Sequence, residues 1–98
     1  MKAYELMLII NPSLDEEARE AVLEKTRSVI TADGGVIDSD DVWGKRSMAY
    51  EIDGLMEGDY HVILFHGTTD SVAELDRVLR ITDQVMRFMI VRRDDIKE

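Results

Sequence analysis

The stretch YELMLII, residues 4–10, has apolar side chains on both faces of a predicted β-strand. Successive side chains of a strand point to opposite faces, so Leu6 and Leu8 share one face while Met7 and Ile9 share the other. A strand that is apolar on both faces lies inside a sheet, because something must cover each side. The stretch therefore predicts a central strand, and Pro12 ends it because proline cannot continue a ladder.

The rest of the chain supplies two helices and three further strands around this one. The first helix is capped by Ser13 or Asp15 and ends near 32, and a long strand or hairpin arm with a bulge at Gly44 follows at 36–52. A turn region at 53–59 leads to a strand at 60–65. The second helix is capped by Thr69 or Asp70 and ends near 81, and the last strand lies at 85–93. The order βαββαβ, with right-handed crossovers, predicts an α+β, ferredoxin-like fold. It has a four-stranded antiparallel sheet with both helices on one face. The 98 residues are expected to form a single domain, 1–98, with 94–98 as a short charged tail.

This fold leaves the second face of the sheet open. If Leu8 and Phe88 face the helices, the open face carries four apolar side chains from two neighbouring strands, namely Met7, Ile9, Met89 and Val91. An exposed apolar patch of this kind usually marks a partner. The alternative is that long side chains or the bent hairpin arm cover it.

The composition excludes several classes of function. The net charge of −9 argues against a nonspecific nucleic-acid binder, although half of the twelve Lys and Arg residues lie in the last 22 positions. Cysteine is absent, which excludes disulfides and thiolate metal sites. No apolar run reaches the roughly 20 residues that span a bilayer. We therefore expect a cytoplasmic protein without a membrane partner.

No motif predicts catalysis, a metal, a cofactor or a small-molecule substrate. His61 and His66 lie five positions apart and face opposite sides of a regular strand. Acylphosphatase-type enzymes share the order of elements, but their arginine-bearing glycine loop is replaced here by the acidic segment 11–15. The strand at 60–65 lacks the basic-Gly-aromatic pattern of an RNA-recognition domain. The chain is expected not to be an enzyme.

Trp43, Lys45 and Arg46 form the best basic-aromatic cluster in the sequence. One interpretation makes Trp43 a partly buried cover and the two cations a solvated arm. The other makes the cluster a contact for nucleic acid or for a protein. The residues alone leave both open.

Two longer motifs indicate a family when they are taken together. They are Gly-Lys-Arg-x-Met-Ala-Tyr-x-Ile at 44–52 and Asp-x-Val-x-Arg-x-Met-x-Val at 83–91, and Tyr4-Glu5 and Asn11-Pro12 accompany them. With these motifs the chain resembles the bacterial small-subunit ribosomal protein S6 family over nearly its whole length. Glu51 stands where that family usually has proline, and the long tail of many members is absent.

The resemblance implies a ferredoxin-like, non-catalytic ribosomal protein. It implies that the chain pairs with ribosomal protein S18 and that the pair binds the central domain of small-subunit ribosomal RNA. The basic partner would then supply much of the positive charge. The alternative is a ferredoxin-like ligand-binding or regulatory module that self-associates through its open sheet.

Candidate contact residues follow from the matching strand positions. For RNA they are Lys2, Tyr4, Lys45, Arg46, Arg87, Arg92 and Arg93. For the partner protein they are Met7, Ile9, Trp43, Met89 and Val91.

Overall fold

A computed structural model of the chain describes residues 1–52 and 54–95. Its elements are β1 (Lys2–Ile10), α1 (Glu16–Thr31), β2 (Val36–Ile52), β3 (Leu55–Gly67), α2 (Thr69–Arg80) and β4 (Val85–Arg92). The strands form one antiparallel sheet in the order β2-β3-β1-β4. The predicted ferredoxin-like fold is confirmed, and β1 is a central strand as YELMLII predicts. Residues 96–98 of the predicted tail lie outside the described residues.

The core lies between one face of the sheet and the two helices. It is built from buried apolar side chains of the sheet and of both helices, chiefly Leu6, Leu8, Ile10, Ile63, Phe65, Val22, Leu23, Ile30, Leu75 and Leu79. Burying each such side chain contributes roughly 1.5–3 kcal/mol. Along α1 the buried side chains are Val22, Leu23, Thr26 and Ile30, whereas Ala21 is exposed.

The helix caps differ in part from the prediction. Asp15 caps α1, because its Oδ1 accepts a hydrogen bond from the Ala18 N–H at 2.8 Å. Ser13 lies two residues before this cap, and its backbone N–H donates to the Asn11 side chain. Thr68 caps α2 by accepting a hydrogen bond from the Ser71 N–H at 3.1 Å. The prediction of Thr69 or Asp70 was therefore wrong by one or two residues.

The β2–β3 hairpin is longer than predicted. β3 begins at Leu55 and not at 60, because Ile52 already pairs with Leu55. The predicted turn region 53–59 is therefore mostly strand. The predicted bulge at Gly44 is confirmed by a register shift between Val42 and Gly44 and by a φ of +81° at the glycine.

A second register shift, between β1 and β4, alters the face of the sheet on which the first residue of β4 lies. The pairing of β1 with β4 shifts between Ile9 and Ile10, so Ile9 lies opposite Arg87 while Ile10 lies opposite Val85. As a result Val85 packs against the helix-side core. Val85 therefore faces the core, although a regular alternation would place it on the same face as Arg87 and Met89.

Candidate nucleic-acid and protein interface

The sheet face turned away from the helices, here called the open face, carries side chains in cross-strand rows. One row runs from Gly44 through Tyr60 and Ile9 to Arg87. The next rows are Val62–Met7–Met89 and Leu64–Glu5–Val91. Met89 is 52% exposed and Val91 is 43% exposed, so the β4 side of this face presents apolar surface to solvent.

The hairpin covers part of the open face. Ile9 is buried because its Cγ2 occupies the space beside Gly58, where a Cβ would lie only 2.3 Å away. Of the two interpretations of the apolar face, the covered one therefore holds at Ile9. It does not hold at Met89 and Val91.

A small cavity of about 200 Å³ lies on the open face. The cavity is lined by Met7, Ile9, Tyr60, Arg87, Phe88 and Met89. Of these, Met7, Ile9 and Met89 are candidate contacts for the partner protein, and Arg87 is a candidate contact for RNA. A side chain that entered this cavity would touch apolar groups and a guanidinium together.

An aromatic-cation stack lies at the hairpin end of the open face. The rings of Trp43 and Tyr60 are stacked, with centroids 6.5 Å apart and planes 11° apart. The guanidinium carbon of Arg46 lies 5.7 Å from the Trp43 ring centroid, and the Arg46 Nε donates to the Trp43 carbonyl oxygen at 3.3 Å. Sequence reasoning missed Tyr60. The signal that could have found it is the Gly44 bulge, which sets the strand register that brings Tyr60 under Trp43.

The opposite end of the sheet holds a second basic group. The Arg93 N–H donates to the Ala3 carbonyl oxygen at 2.9 Å, and its guanidinium forms ion pairs with Glu5 and Asp95. The hydrogen bond from Arg93 lowers the pKa of Asp95 to about 2. Arg92 pairs with Asp94 at 2.8 Å. A phosphate that approached either arginine would therefore compete with a carboxylate already in place.

Tyr4 does not lie with the exposed candidates. Its ring is buried and stacks on Phe65, with centroids 5.5 Å apart. Tyr4 shares the helix-side face with Leu6 and Leu8, and its cross-strand partner is Arg92. An RNA contact of Tyr4 stays a prediction, and the buried ring leaves little of this side chain exposed for it.

The six cationic residues among the candidate RNA contacts lie in two groups, at opposite ends of the sheet. Lys45, Arg46 and Arg87 lie at the Ile9–Tyr60 row or just beyond it, while Lys2, Arg92 and Arg93 lie near Ala3. Ala3 and Ile9 lie six positions apart on β1, which corresponds to about 20 Å along the strand.

The two histidines lie on opposite faces, as predicted. His61 is fully buried, with its Nε2 3.2 Å from the Asp59 Oδ1, and Arg19 reaches the other oxygen of Asp59 at 3.5 Å. The His66 Nδ1 lies 2.6 Å from the Asp38 Oδ2. Across residues 1–52 and 54–95, no three His, Cys, Asp or Glu side chains are grouped so that they could hold a metal ion. Neither described helix is long and apolar enough to span a membrane.

Known proteins resemble this chain in sequence and in fold. The family model described as "Ribosomal protein S6" matches residues 3–92. The chain is 50% identical over 91 residues to the small ribosomal subunit protein bS6 of Clostridium novyi (strain NT), an alignment that covers 93% of this chain and 96% of that protein. It is 48% identical over 92 residues to the bS6 protein of Symbiobacterium thermophilum, covering 94% of this chain and 97% of that protein.

Solved structures give the same result. The crystal structure of 30S ribosomal protein S6 from Thermotoga maritima matches with a TM-score of 0.89 and 38% identity, covering 96% of this chain and 89% of that one. The C-terminal domain of the MgtC protein from Mycobacterium tuberculosis matches with a TM-score of 0.64 at 10% identity, which shows a shared fold alone. Since the family model spans most of the chain and the bS6 relatives are about half identical over nearly all of it, the chain belongs to the ribosomal protein S6 family of the small ribosomal subunit.

Proposed function

We propose that the chain is a non-catalytic constituent of the small ribosomal subunit that binds the central domain of its ribosomal RNA together with ribosomal protein S18. The single observation that carries the proposal is the open face. There the exposed side chains of Met89 and Val91 lie beside Arg87, between two basic ends. An apolar surface with cations at its margins suits a site where a protein and a polyanion meet.

The charge distribution supports the need for a partner protein. The net charge is −9, and the exposed face of α1 carries Glu16, Glu17, Glu20 and Glu24. Many arginines already have carboxylate partners, as in the pairs Arg27–Asp40, Arg77–Glu74, Arg80–Asp76, Arg92–Asp94 and Arg93–Glu5. Since RNA affinity depends on cations that replace counterions, this chain alone is expected to bind RNA weakly. A basic partner would complete the electrostatic surface.

The two ends of the sheet suggest a division of contacts. Lys45, Arg46 and Arg87 would contact RNA at one end, and Lys2, Arg92 and Arg93 at the other. The partner protein would pack between them, on the surface formed by Met7, Met89, Val91 and the edge of Trp43. Ile9 would support this surface from beneath, and Tyr4 would remain in the core.

A gel-shift assay with a central-domain ribosomal RNA fragment tests the proposal. We expect weak binding by the chain alone and a much tighter complex when S18 is added. We also expect the affinity of that complex to fall steeply as salt rises, because several phosphate contacts release counterions. Equally tight RNA binding without S18 would contradict the cooperative mechanism, and no binding with S18 would contradict the function.

The same exposed apolar side chains also favour a second candidate, a self-associating module. Met89 and Val91 could pack against a second copy of the chain, since a two-fold interface buries the same surface twice. Sedimentation of the isolated chain and of its mixture with S18 separates the two. A homodimer that persists in the mixture and binds no ribosomal RNA would favour the module over the ribosomal role.

A further inference from the structure

The stack at the hairpin end has three members, and its outer member is a planar cation. Tyr60 lies at the bottom, Trp43 covers it, and Arg46 lies over Trp43. Trp43 is 45% exposed and Arg46 is exposed, so the stack projects from the sheet into solvent. Of the two interpretations of the Trp43, Lys45 and Arg46 cluster, this ordered stack favours a contact site over a solvated arm.

The base of the stack is fixed to the sheet. Tyr60 is half-buried on the inner strand β3, opposite Ile9 on one side and Gly44 on the other. The bulge at Gly44 directs Trp43 over Tyr60, and its φ of +81° is a conformation that other residues rarely adopt. The Arg46 Nε is held by the Trp43 carbonyl oxygen, so the guanidinium loses little additional freedom when it binds a ligand.

We propose that Arg46, supported by Trp43 and Tyr60, stacks on an unpaired nucleobase of the RNA, an inference that rests on the proposed binding of ribosomal RNA. Guanidinium planes and aromatic rings are the groups on which proteins stack splayed-out bases. The guanidinium carbon of Arg46 lies 5.7 Å from the Trp43 ring centroid, and because the side chain is exposed it keeps surface that a base could cover. Its Nη groups can donate to a phosphate or to a base edge.

Charge favours RNA over a protein as the occupant of this stack. Lys45 is adjacent in sequence, and Arg87 ends the cross-strand row that contains Gly44, Tyr60 and Ile9. The partner protein is expected to be basic, because it must compensate for a net charge of −9. Two cationic surfaces repel each other, whereas a base with its phosphate is attracted by both the ring stack and the charge.

The substitution Arg46→Lys tests the proposal because it keeps the positive charge and removes the planar guanidinium group. In complex with S18 and a central-domain RNA fragment, Arg46→Lys is expected to weaken RNA affinity roughly tenfold, the effect of losing one stacked base. The slope of log affinity against log salt should stay unchanged, since the number of cations is the same. The matched control is Arg80→Lys: Arg80 lies 5.8 Å from the Phe88 ring but outside the hairpin, and its substitution should leave affinity unchanged.

Fluorescence supplies a second readout. Trp43 is the only tryptophan of the chain, so with a tryptophan-free S18 all tryptophan emission comes from the stack, and S18 without RNA gives the baseline. RNA should change this emission in the original chain and in Arg80→Lys, and should change it much less in Arg46→Lys. An equal unfolding midpoint of the free chains would show that Arg46→Lys keeps the fold.

Three results would overturn the inference. They are undiminished RNA affinity of Arg46→Lys, an emission of Trp43 that RNA leaves unchanged, and a loss of S18 binding by Arg46→Lys in the absence of RNA, which would assign the stack to the protein interface. If the original chain with S18 binds no RNA, the proposed function itself fails, a result distinct from these three.

Discussion

Two neighbouring glycines close α1 for different physical reasons, and this difference can be tested. Gly34 has a φ of +80° and open space around it, whereas a Cβ on Gly35 would lie 2.0 Å from the backbone oxygen of Ile30. Gly34→Ala should cost about 1 kcal/mol of stability through the left-handed conformation. Gly35→Ala should cost about 3 kcal/mol, because the new Cβ would clash with the Ile30 backbone oxygen, which cannot move aside as easily as a side chain can. Urea unfolding measures both, and equal costs would show that the chain relaxes around Gly35.

The pKa of Asp95 gives a second prediction for a single residue. Its pKa lies near 2, below the ordinary 3.8, chiefly because Arg93 donates a hydrogen bond to the carboxylate. A lowered pKa in the folded state stabilises the fold above pH 3.8, and this contribution is lost as the pH falls towards 2. Arg93→Gln should return the pKa of Asp95 towards 3.8, as followed by carbon NMR of the carboxyl group. Arg92→Gln, whose carboxylate partner is Asp94, is the control and should leave the pKa of Asp95 in place.

At the level of single residues, the sequence predicts strand faces better than strand partners. The alternation in β1 correctly separates Met7 from Leu8, because the side-chain period of a strand is fixed. It cannot predict which residue lies opposite, because register depends on bulges at Gly44 and near Ile9. For this reason Tyr60 was missed as the base of the stack. The same alternation places Tyr4 on the face of Leu6 and Leu8, where its ring is buried.

The helix caps give a prediction at the level of elements. Asp15 and Thr68 each accept a hydrogen bond from a backbone N–H in the first turn of a helix. Asp15→Ala and Thr68→Ala should each cost about 1 kcal/mol of stability, because that N–H loses its partner. Ser13→Ala should cost less than about 0.5 kcal/mol, because Ser13 uses only its backbone N–H, which alanine retains. Thermal unfolding of the three variants checks this, and a Ser13 effect equal to that of Asp15 would contradict the assignment of the cap.

The hairpin shows where prediction at the level of elements fails. Gly54 and Gly58 together favoured a turn region over 53–59, yet Gly58 lies within β3. Its lack of a side chain makes room for Ile9 and has nothing to do with turning. A glycine that leaves space and a glycine that bends the chain look alike in a sequence, and only the neighbouring strand distinguishes them.

At the scale of the whole molecule, charge and apolar surface are separated in space. Acidic side chains crowd the exposed face of α1, while exposed apolar side chains and the basic ends lie on or beside the sheet. Under the proposed function, RNA would approach the sheet side, because the acidic α1 side would repel it. Composition alone predicted only the average, a net charge of −9, because the side on which a charge lies depends on the packing of the helices.

The open face supports a prediction about assembly of the whole molecule. Met89 is 52% exposed at the middle of the exposed part of this face, and Ile81 is 65% exposed at the end of α2, away from it. If S18 packs on the open face, Met89→Ser should weaken the pair tenfold or more, since anchors near the centre of an interface carry most of the binding energy. Ile81→Ser is the matched control and should leave the affinity unchanged. Titration calorimetry without RNA measures both variants, and because both positions are exposed the fold should tolerate either change. Equal affinities for the two variants would show that the partner binds elsewhere, and the apolar side chains of β4 would then need a different occupant.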